Sequence, residues 1–287
     1  MKRTITKSMI VVGILMLIVG CGSSPKSTGS ADSESAANLL EKIKQSGMVT
    51  VGTEAAYEPF EYIQDGKIVG YGSDILAYIV EQLGVKVEQK DLPFQGILPG
   101  LEAKQFDFVA TAVSITPERA EKYGMTVPIA DGTVAVLKRK GDDSIKSPED
   151  IAGKIVGTQL GSGQLKALKE YDETLKKDKG KGTKEIKEYV AYPEAYQDLA
   201  NGRVDAVVNT KANLASILKK QPDTFEMVDT FGNKMWISWV VRKEDKELLD
   251  FINEKILEMK SSGKLAELQT KWFGYTMETP ESDYLPQ

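Results

Sequence analysis

Histidine is absent from this chain of 287 residues, and cysteine occurs once, at Cys21. Without an imidazole, neither Ser-His-Asp nor Cys-His catalysis is available, and zinc sites built from His and Cys have no ligand set. One thiol forms no internal disulfide. Long apolar runs are equally scarce: beyond Val19 no stretch approaches the roughly 20 apolar residues of a spanning helix. Nor is there an excess of positive charge. The 37 basic residues face 42 acidic ones, leave a net charge of −5 and are scattered along the chain, so nucleic acid finds no basic stripe to bind. These absences lead to the expectation of a non-enzymatic protein with no metal, no cofactor and no nucleic-acid partner.

What is present begins with Lys2, Arg3 and Lys7, followed by eleven residues without charge from Met9 to Val19. That is the pattern of a signal peptide, expected to span 1–20. Its end, Ile18-Val19-Gly20-Cys21, resembles a bacterial lipobox, which implies cleavage before Cys21 and a diacylglyceride on its sulfur. The expected location is therefore outside the cytoplasm, lipid-anchored to the cell membrane. Residues 21–38 are small and polar and read as a flexible tether.

From Leu39 onward, hydrophobic periodicity alternates between strand and helix. "MVTVGTE" and "VKVEQKD" read as strands; between them Ile75, Ile79 and Leu83 share a helical face, with Ser73 or Asp74 as cap and Gly84 as stop. A helix through Ile97 to Ala103 leads to the strand "FDFVATAV". This β-α-β-α-β order predicts an α/β protein with a largely parallel sheet. A second set follows from about Gly153: "KIVGTQ", the loop "LGSG", the helix "QLKALKEY", "KEYVAY", "AYQDLA" and "GRVDAVVNT". The segments "LEAKQFDFVAT" and "DLANGRVDAVVNT" echo each other, with Asp107 and Asp205 in matching places, as expected of two lobes of similar construction. Two closing helices carry Leu248, Phe251, Ile252, Ile256 and Met259 on a helical period.

Taken in order, "VGTEAAYEPFEY", "IVGYGSDILAYIVEQLG", "LPFQGILPGLEAKQFDFVATAVSITPER", "GTQLGSG" and "KWFG" make the chain similar to bacterial family 3 solute-binding proteins, the polar amino acid receptors of ABC importers. The resemblance runs from about Leu39 to Tyr275. It implies a two-lobed periplasmic-binding-protein fold of type II, with two crossover strands and a ligand enclosed between the lobes. Lobe 1 is expected to comprise 39–131 and 236–277, and lobe 2 to comprise 132–235 with the hinge strands at its ends. Residues 278–287 form a tail.

The same resemblance assigns roles to residues. Arg119 is expected to clamp a ligand carboxylate, which a planar guanidinium grips with two parallel hydrogen bonds. Amides and hydroxyls at Thr111, Ala112 and Ser114 are expected to take the remaining lone pairs, and Gly161, Ser162 and Gly163 to offer amides from lobe 2. Tyr57 and Phe94 occupy positions that sandwich a ligand side chain. Glu54 stands where the family often has an acid facing a distal cation. Phe60 reads as core; Trp236 and Trp239 read either as core or as a wider aromatic wall. Four positions depart from the family pattern: Gly163 replaces a usual Ser or Thr, Thr210 replaces the aspartate that commonly holds an α-ammonium, and Gly72 and Ser73 replace a usual Asp or Glu and an aliphatic residue. The expected protein is a monomeric receptor that passes an amino acid or related small carboxylate to an ABC permease. A cyclic-carboxylate dehydratase with Glu54 as general acid, and a sensory receptor, are the alternatives.

Overall fold

The computed structural model describes residues 38–284; the expected signal peptide, Cys21 and nearly all of the expected tether lie outside them. In chain order the elements are α1 (Leu39–Ser46), β1 (Met48–Thr53), β2 (Ala56–Tyr57), β3 (Glu61–Gln64), β4 (Lys67–Val69), α2 (Tyr71–Leu83), β5 (Lys86–Asp91), α3 (Phe94–Glu102), β6 (Phe108–Ser114), α4 (Pro117–Lys122), β7 (Tyr123–Met125) and β8 (Ala130–Asp131). There follow β9 (Val134–Arg139), β10 (Ile155–Gln159), α5 (Gly163–Lys179), β11 (Glu185–Tyr189), α6 (Tyr192–Ala200), β12 (Ala206–Thr210), α7 (Lys211–Lys220), β13 (Phe225–Phe231), β14 (Trp236–Arg242), α8 (Lys246–Ser261) and α9 (Lys264–Phe273).

Two twisted sheets organise these elements into two lobes. The first has the order β5-β1-β6-β14-β7, with β8 also on β14; the second runs β11-β10-β12-β9-β13. In each, three strands are parallel and the crossover strand, β14 or β9, joins antiparallel. The chain passes between lobes twice, from β8 to β9 and from β13 to β14. The two passages run side by side, since Gly132 N donates to Met235 O at 2.8 Å.

The echo between Asp107 and Asp205 is structural. Asp107 accepts at Oδ2 from Thr50 N at 2.7 Å, and Asp205 accepts at Oδ2 from Ile155 N at 2.8 Å, so each carboxylate pins the second strand of its sheet, β1 or β10. Three residues further along those strands, the hydroxyls of Thr53 and Thr158 donate to the carbonyls of Ala110 and Val208. Both lobes therefore close their parallel strands with one repeated device.

Helix α2 starts earlier than the capping reading placed it. Its first residue is Tyr71 and its cap is Gly70, whose φ of 132° suits glycine. A Cβ on Gly70 would lie 2.1 Å from the Phe60 carbonyl oxygen. Asp74, inside the first turn, instead accepts from Trp272 Nε1 and Lys271 Nζ, both at 2.7 Å, tying α9 back to lobe 1. Phe60 and Trp239 are fully buried core residues. Trp239 packs against Phe108, with ring centres 5.9 Å apart.

Candidate functional site

Arg119 owes its position to the short helix after β6. Thr116 caps α4, its hydroxyl accepting from Arg119 N at 3.3 Å, and Pro117 occupies the first turn, where its missing N–H costs nothing. The guanidinium then turns back towards the gap between lobes. It donates through one nitrogen to Ser114 O and through the other to Gly161 O of lobe 2, both at 2.9 Å, and stacks over Phe94 with 5.7 Å to the ring centre. No carboxylate among the described residues forms an ion pair with it. Burial without a negative partner pushes its pKa down to about 10. A desolvated cation satisfied only by carbonyls is a receptor for an anion.

Across from it, Gly161 takes a φ of 73° and turns the chain into α5. Ser162 caps this helix, accepting from Leu165 N at 3.0 Å while donating to Gln159 O at 2.7 Å. The amino terminus of a helix of 17 residues thus meets the lobe-1 wall beside Arg119; its partial positive charge also favours an anion. Gly163 has no room to be anything else here, because a Cβ would lie 2.5 Å from Ser114 Cβ and 3.1 Å from Met235 Sδ. Its departure from Ser or Thr lets the two walls touch.

Several side chains span the cleft. Gln159 Nε2 donates to Glu54 Oε1 at 2.5 Å, Tyr57 OH donates to Asn209 Oδ1 at 2.8 Å, and Gln164 Nε2 donates to Tyr57 OH at 3.0 Å. Nearer the rim, Asn213 Nδ2 donates to Glu58 O at 2.7 Å and Lys220 pairs with the Glu58 carboxylate at 2.5 Å. Lobes joined by so many direct contacts are closed. Glu54 is almost completely enclosed, and burial, opposed by the Gln159 hydrogen bond and reinforced by Asp91, pushes its pKa up to about 8. Glu61 behind it is fully buried; burial, partly offset by the Thr111 hydroxyl, also raises it to about 8.

Not every expected contact faces the ligand space. Thr111 donates its hydroxyl to Glu61 Oε2 at 2.9 Å, Ser162 spends its own on the α5 cap, and Thr210 caps α7, accepting from Asn213 N at 3.4 Å. All three hydroxyls are engaged within their own lobes. Tyr57 also departs from the sandwich reading. Its ring packs on Phe60 at 5.7 Å and on Tyr192 of lobe 2 at 5.6 Å, so aromatic neighbours from both lobes hold it while Phe94 accompanies Arg119. Trp236 is half-buried with Lys234 over its ring at 4.4 Å. Gln159, Gln164 and Asn209, absent from the sequence reading, prove central to the cleft. The repeat carries a signal for Gln159, which follows Thr158 as Glu54 follows Thr53.

The sequence profile of bacterial extracellular solute-binding proteins, family 3, matches residues 49–275. The chain belongs to that family. The L-cystine-binding protein TcyJ of Escherichia coli (strain K12) is 32% identical over 266 residues, which span 92% of this chain and 94% of that one. Among solved structures, an ancestral arginine-binding protein bound to arginine superposes with a TM-score of 0.72 at 37% identity, covering 79% of this chain and 99% of the other. The ancestral amino acid-binding protein AncCDT-1, described as a precursor of cyclohexadienyl dehydratase, gives 0.73 at 32% identity, covering 83% and 100%. As in its relatives, the architecture of this family 3 protein is two-lobed, with the cleft between lobes as its distinctive feature.

Proposed function

We propose that this family 3 protein captures an amino acid or closely related small carboxylate between its lobes and delivers it to the permease of an ABC importer. The observation that carries the reading is Arg119: a half-buried guanidinium that bridges both lobes, meets only carbonyl oxygens and lies beside the α5 amino terminus. A ligand carboxylate entering there exchanges neutral acceptors for a charged one. The cystine- and arginine-binding relatives support an amino-acid class. Residues 39–131 with 236–277 and residues 132–235 act as the two jaws, moving about the paired passages at 132–133 and 232–235. The protein is monomeric and is held at the outer face of the cell membrane by a lipid on Cys21, a residue outside the described ones. Arg119 and Ser114 line the carboxylate site with the amides of Gly161 and Gly163; Phe94 flanks the rest of the ligand, and Tyr57, held between aromatic neighbours of both lobes, bridges the cleft beside it. Thr111 and Thr210 shape the walls.

The test is a calorimetric screen against proteinogenic amino acids, L-cystine, betaines and α-keto acids, repeated with Arg119→Ala. A carboxylate ligand should bind with stoichiometry near one, and the variant should lose about 2–5 kcal/mol of affinity, roughly 30-fold to several thousand-fold. Unchanged affinity in the variant removes the assignment. One observation favours a second reading: Glu54, with its pKa near 8, presents a protonated acid in the cleft, as a dehydratase requires. Turnover of cyclic carboxylates by catalytic amounts of protein would establish that reading instead.

A further inference from the structure

We infer that Glu61, sealed behind the cleft, is a positioning residue for ligand capture: its carboxyl group holds Thr111 and Ala112 of the lobe-1 wall in place, and Gly72 leaves it the room to do so. The inference rests on the proposed capture of an amino acid between the lobes.

The wall is strand β6, and its middle lacks the usual support. On one side the register with β1 ends at Val109; on the other the register with β14 skips from Val109 to Val113. Residues 110–112 therefore have no cross-strand partner in either ladder, and their polar groups must be met in another way. Side chains do this. The Thr53 hydroxyl donates to Ala110 O at 3.1 Å, the Thr111 hydroxyl donates to Glu61 Oε2 at 2.9 Å, and the Ala112 amide also turns to the Glu61 carboxyl group. Glu61 thus serves two consecutive residues of the unpaired stretch. What it holds reaches the ligand space at both ends: Thr111 accepts at its hydroxyl from Glu54 N at 3.4 Å, and Ser114, the last residue of the same strand, offers the carbonyl that orients Arg119.

The arrangement opposes stability, which argues for a role beyond packing. Glu61 is fully buried, and its Oε1 is sealed without a hydrogen-bond partner among the described residues. An unpaired polar atom inside a protein is unfavourable. Burial, offset by Thr111 and Ala112 and reinforced by Glu54, raises the group to about 8, so at pH 7 it is mainly the neutral acid. Gly72 lies inside α2, where glycine is destabilising relative to alanine. A Cβ there would lie 1.7 Å from Glu61 Oε1 and 2.9 Å from its Cδ. Two unfavourable features, an unpaired oxygen and a helical glycine, meet at one carboxyl group whose bonds all run to the cleft wall.

Calorimetry at pH 7 with the proteinogenic amino acids and L-cystine identifies the tightest binder of wild-type protein, and that compound is then titrated into two variants. Glu61→Gln keeps a neutral acceptor for Thr111 and should bind within about threefold of wild type. The double variant Glu61→Met, Thr111→Val removes carboxyl and hydroxyl together, so neither is left orphaned and the unliganded thermal transition should stay near that of wild type. Its affinity should nevertheless fall about tenfold or more, the scale on which a lost buried hydrogen bond counts. A folded double variant that binds like wild type overturns the inference, because Glu61 then serves the fold alone. Glu61→Gln losing as much as the double variant overturns it too, since a neutral acceptor would not suffice. Should the double variant not fold, Gly72→Ala, which crowds Oε1 while Glu61 and Thr111 remain, takes its place with the same expected loss and the same refuting result. If no compound of the panel binds wild-type protein, the amino-acid reading and this inference fall together, an outcome distinct from one in which wild type and variants bind alike.

Discussion

Glu54 and Gln159 hold equivalent places in the two halves of the molecule and meet each other across the cleft. Each follows a threonine whose hydroxyl donates to a carbonyl of the neighbouring parallel strand, Thr53 to Ala110 and Thr158 to Val208. Each thus sits at a repeated strand end, Glu54 directly after β1 and Gln159 as the last residue of β10, and closure brings the two within 2.5 Å. The repeat supplies matching geometry, and divergence supplies complementary chemistry: an acid on one side, an amide on the other. A contact made only by closed lobes biases the open–closed equilibrium, and a ligand that touches both members biases it further.

The closest approach of the walls gives a direct test of closure. Gly163→Ala places a methyl 2.5 Å from Ser114 Cβ, a separation that forces the walls apart. Because Ser114 belongs to the other lobe, the clash exists only in the closed form. Ligand affinity should fall at least tenfold, about 1.4 kcal/mol, while the unliganded thermal transition remains. Small-angle scattering should show the liganded variant to be less compact than liganded wild type. Equal affinity and compaction would show that the walls do not need to touch.

Two inter-lobe contacts of different burial should differ in worth. Tyr57 OH is buried between Asn209 and Gln164, so Tyr57→Phe leaves polar partners unpaired. Loss of such bonds costs about 1–3 kcal/mol, and affinity should drop roughly fivefold to 150-fold. Lys220, in contrast, pairs with Glu58 at the rim with half its side chain exposed. Exposed pairs contribute about 0–1 kcal/mol, so Lys220→Ala should change affinity by less than about fivefold, and less still in high salt. Parallel titrations of the two variants decide the order; a larger loss for Lys220→Ala would reverse it.

Much of this architecture was legible in the sequence because it is periodic. The central strands, the helices between them and the duplicated aspartate followed from hydrophobic spacing, and "SITPER" pointed to the arginine. The misses have identifiable causes. The α2 start was misplaced because Ser73 and Asp74 look like caps, whereas Gly70 is selected by a tertiary approach to the Phe60 carbonyl that no local pattern reveals. Strands β2 to β4 are two to four residues long, too short to show a period. Hydroxyl residues in the site motifs read as ligand contacts, yet Thr111 and Thr210 turn to partners behind the cleft wall. Gln159 carries only the faint signal of the repeat, its place after Thr158 matching that of Glu54 after Thr53, and its partner becomes visible only with the opposite lobe in view.

Acid stability should carry the imprint of the two buried glutamates. Glu54 and Glu61 rise from the usual value near 4.3 to about 8, chiefly through burial. Between those limits the folded protein keeps protons that the unfolded chain has released. Stability therefore falls as pH rises from about 5 to 8, by at most about 1.4 kcal/mol per pH unit for each group, and levels off above. Glu61→Gln removes one contributor while retaining an acceptor for the Thr111 hydroxyl. Denaturant unfolding at pH 5, 6 and 7 should show the slope reduced by up to that amount. Parallel curves for variant and wild type would mean that Glu61 is already ionised in the fold.

Binding of a cationic ligand should expel a proton. With its pKa near 8, Glu54 is largely protonated in the unliganded closed protein at pH 7. An ammonium or guanidinium beside it favours the carboxylate and pulls that pKa down, so the proton leaves as the cation arrives. Affinity should then rise from pH 6 towards pH 8. At pH 7 the observed heat of binding should differ between phosphate and Tris by close to one proton's worth of their difference in ionisation heat, with the sign of proton uptake by buffer. In Glu54→Gln the buffer dependence should disappear and affinity for a cationic ligand should fall, because the charge it met is gone. Identical heats in both buffers for the wild-type protein would place the ligand's cation away from Glu54.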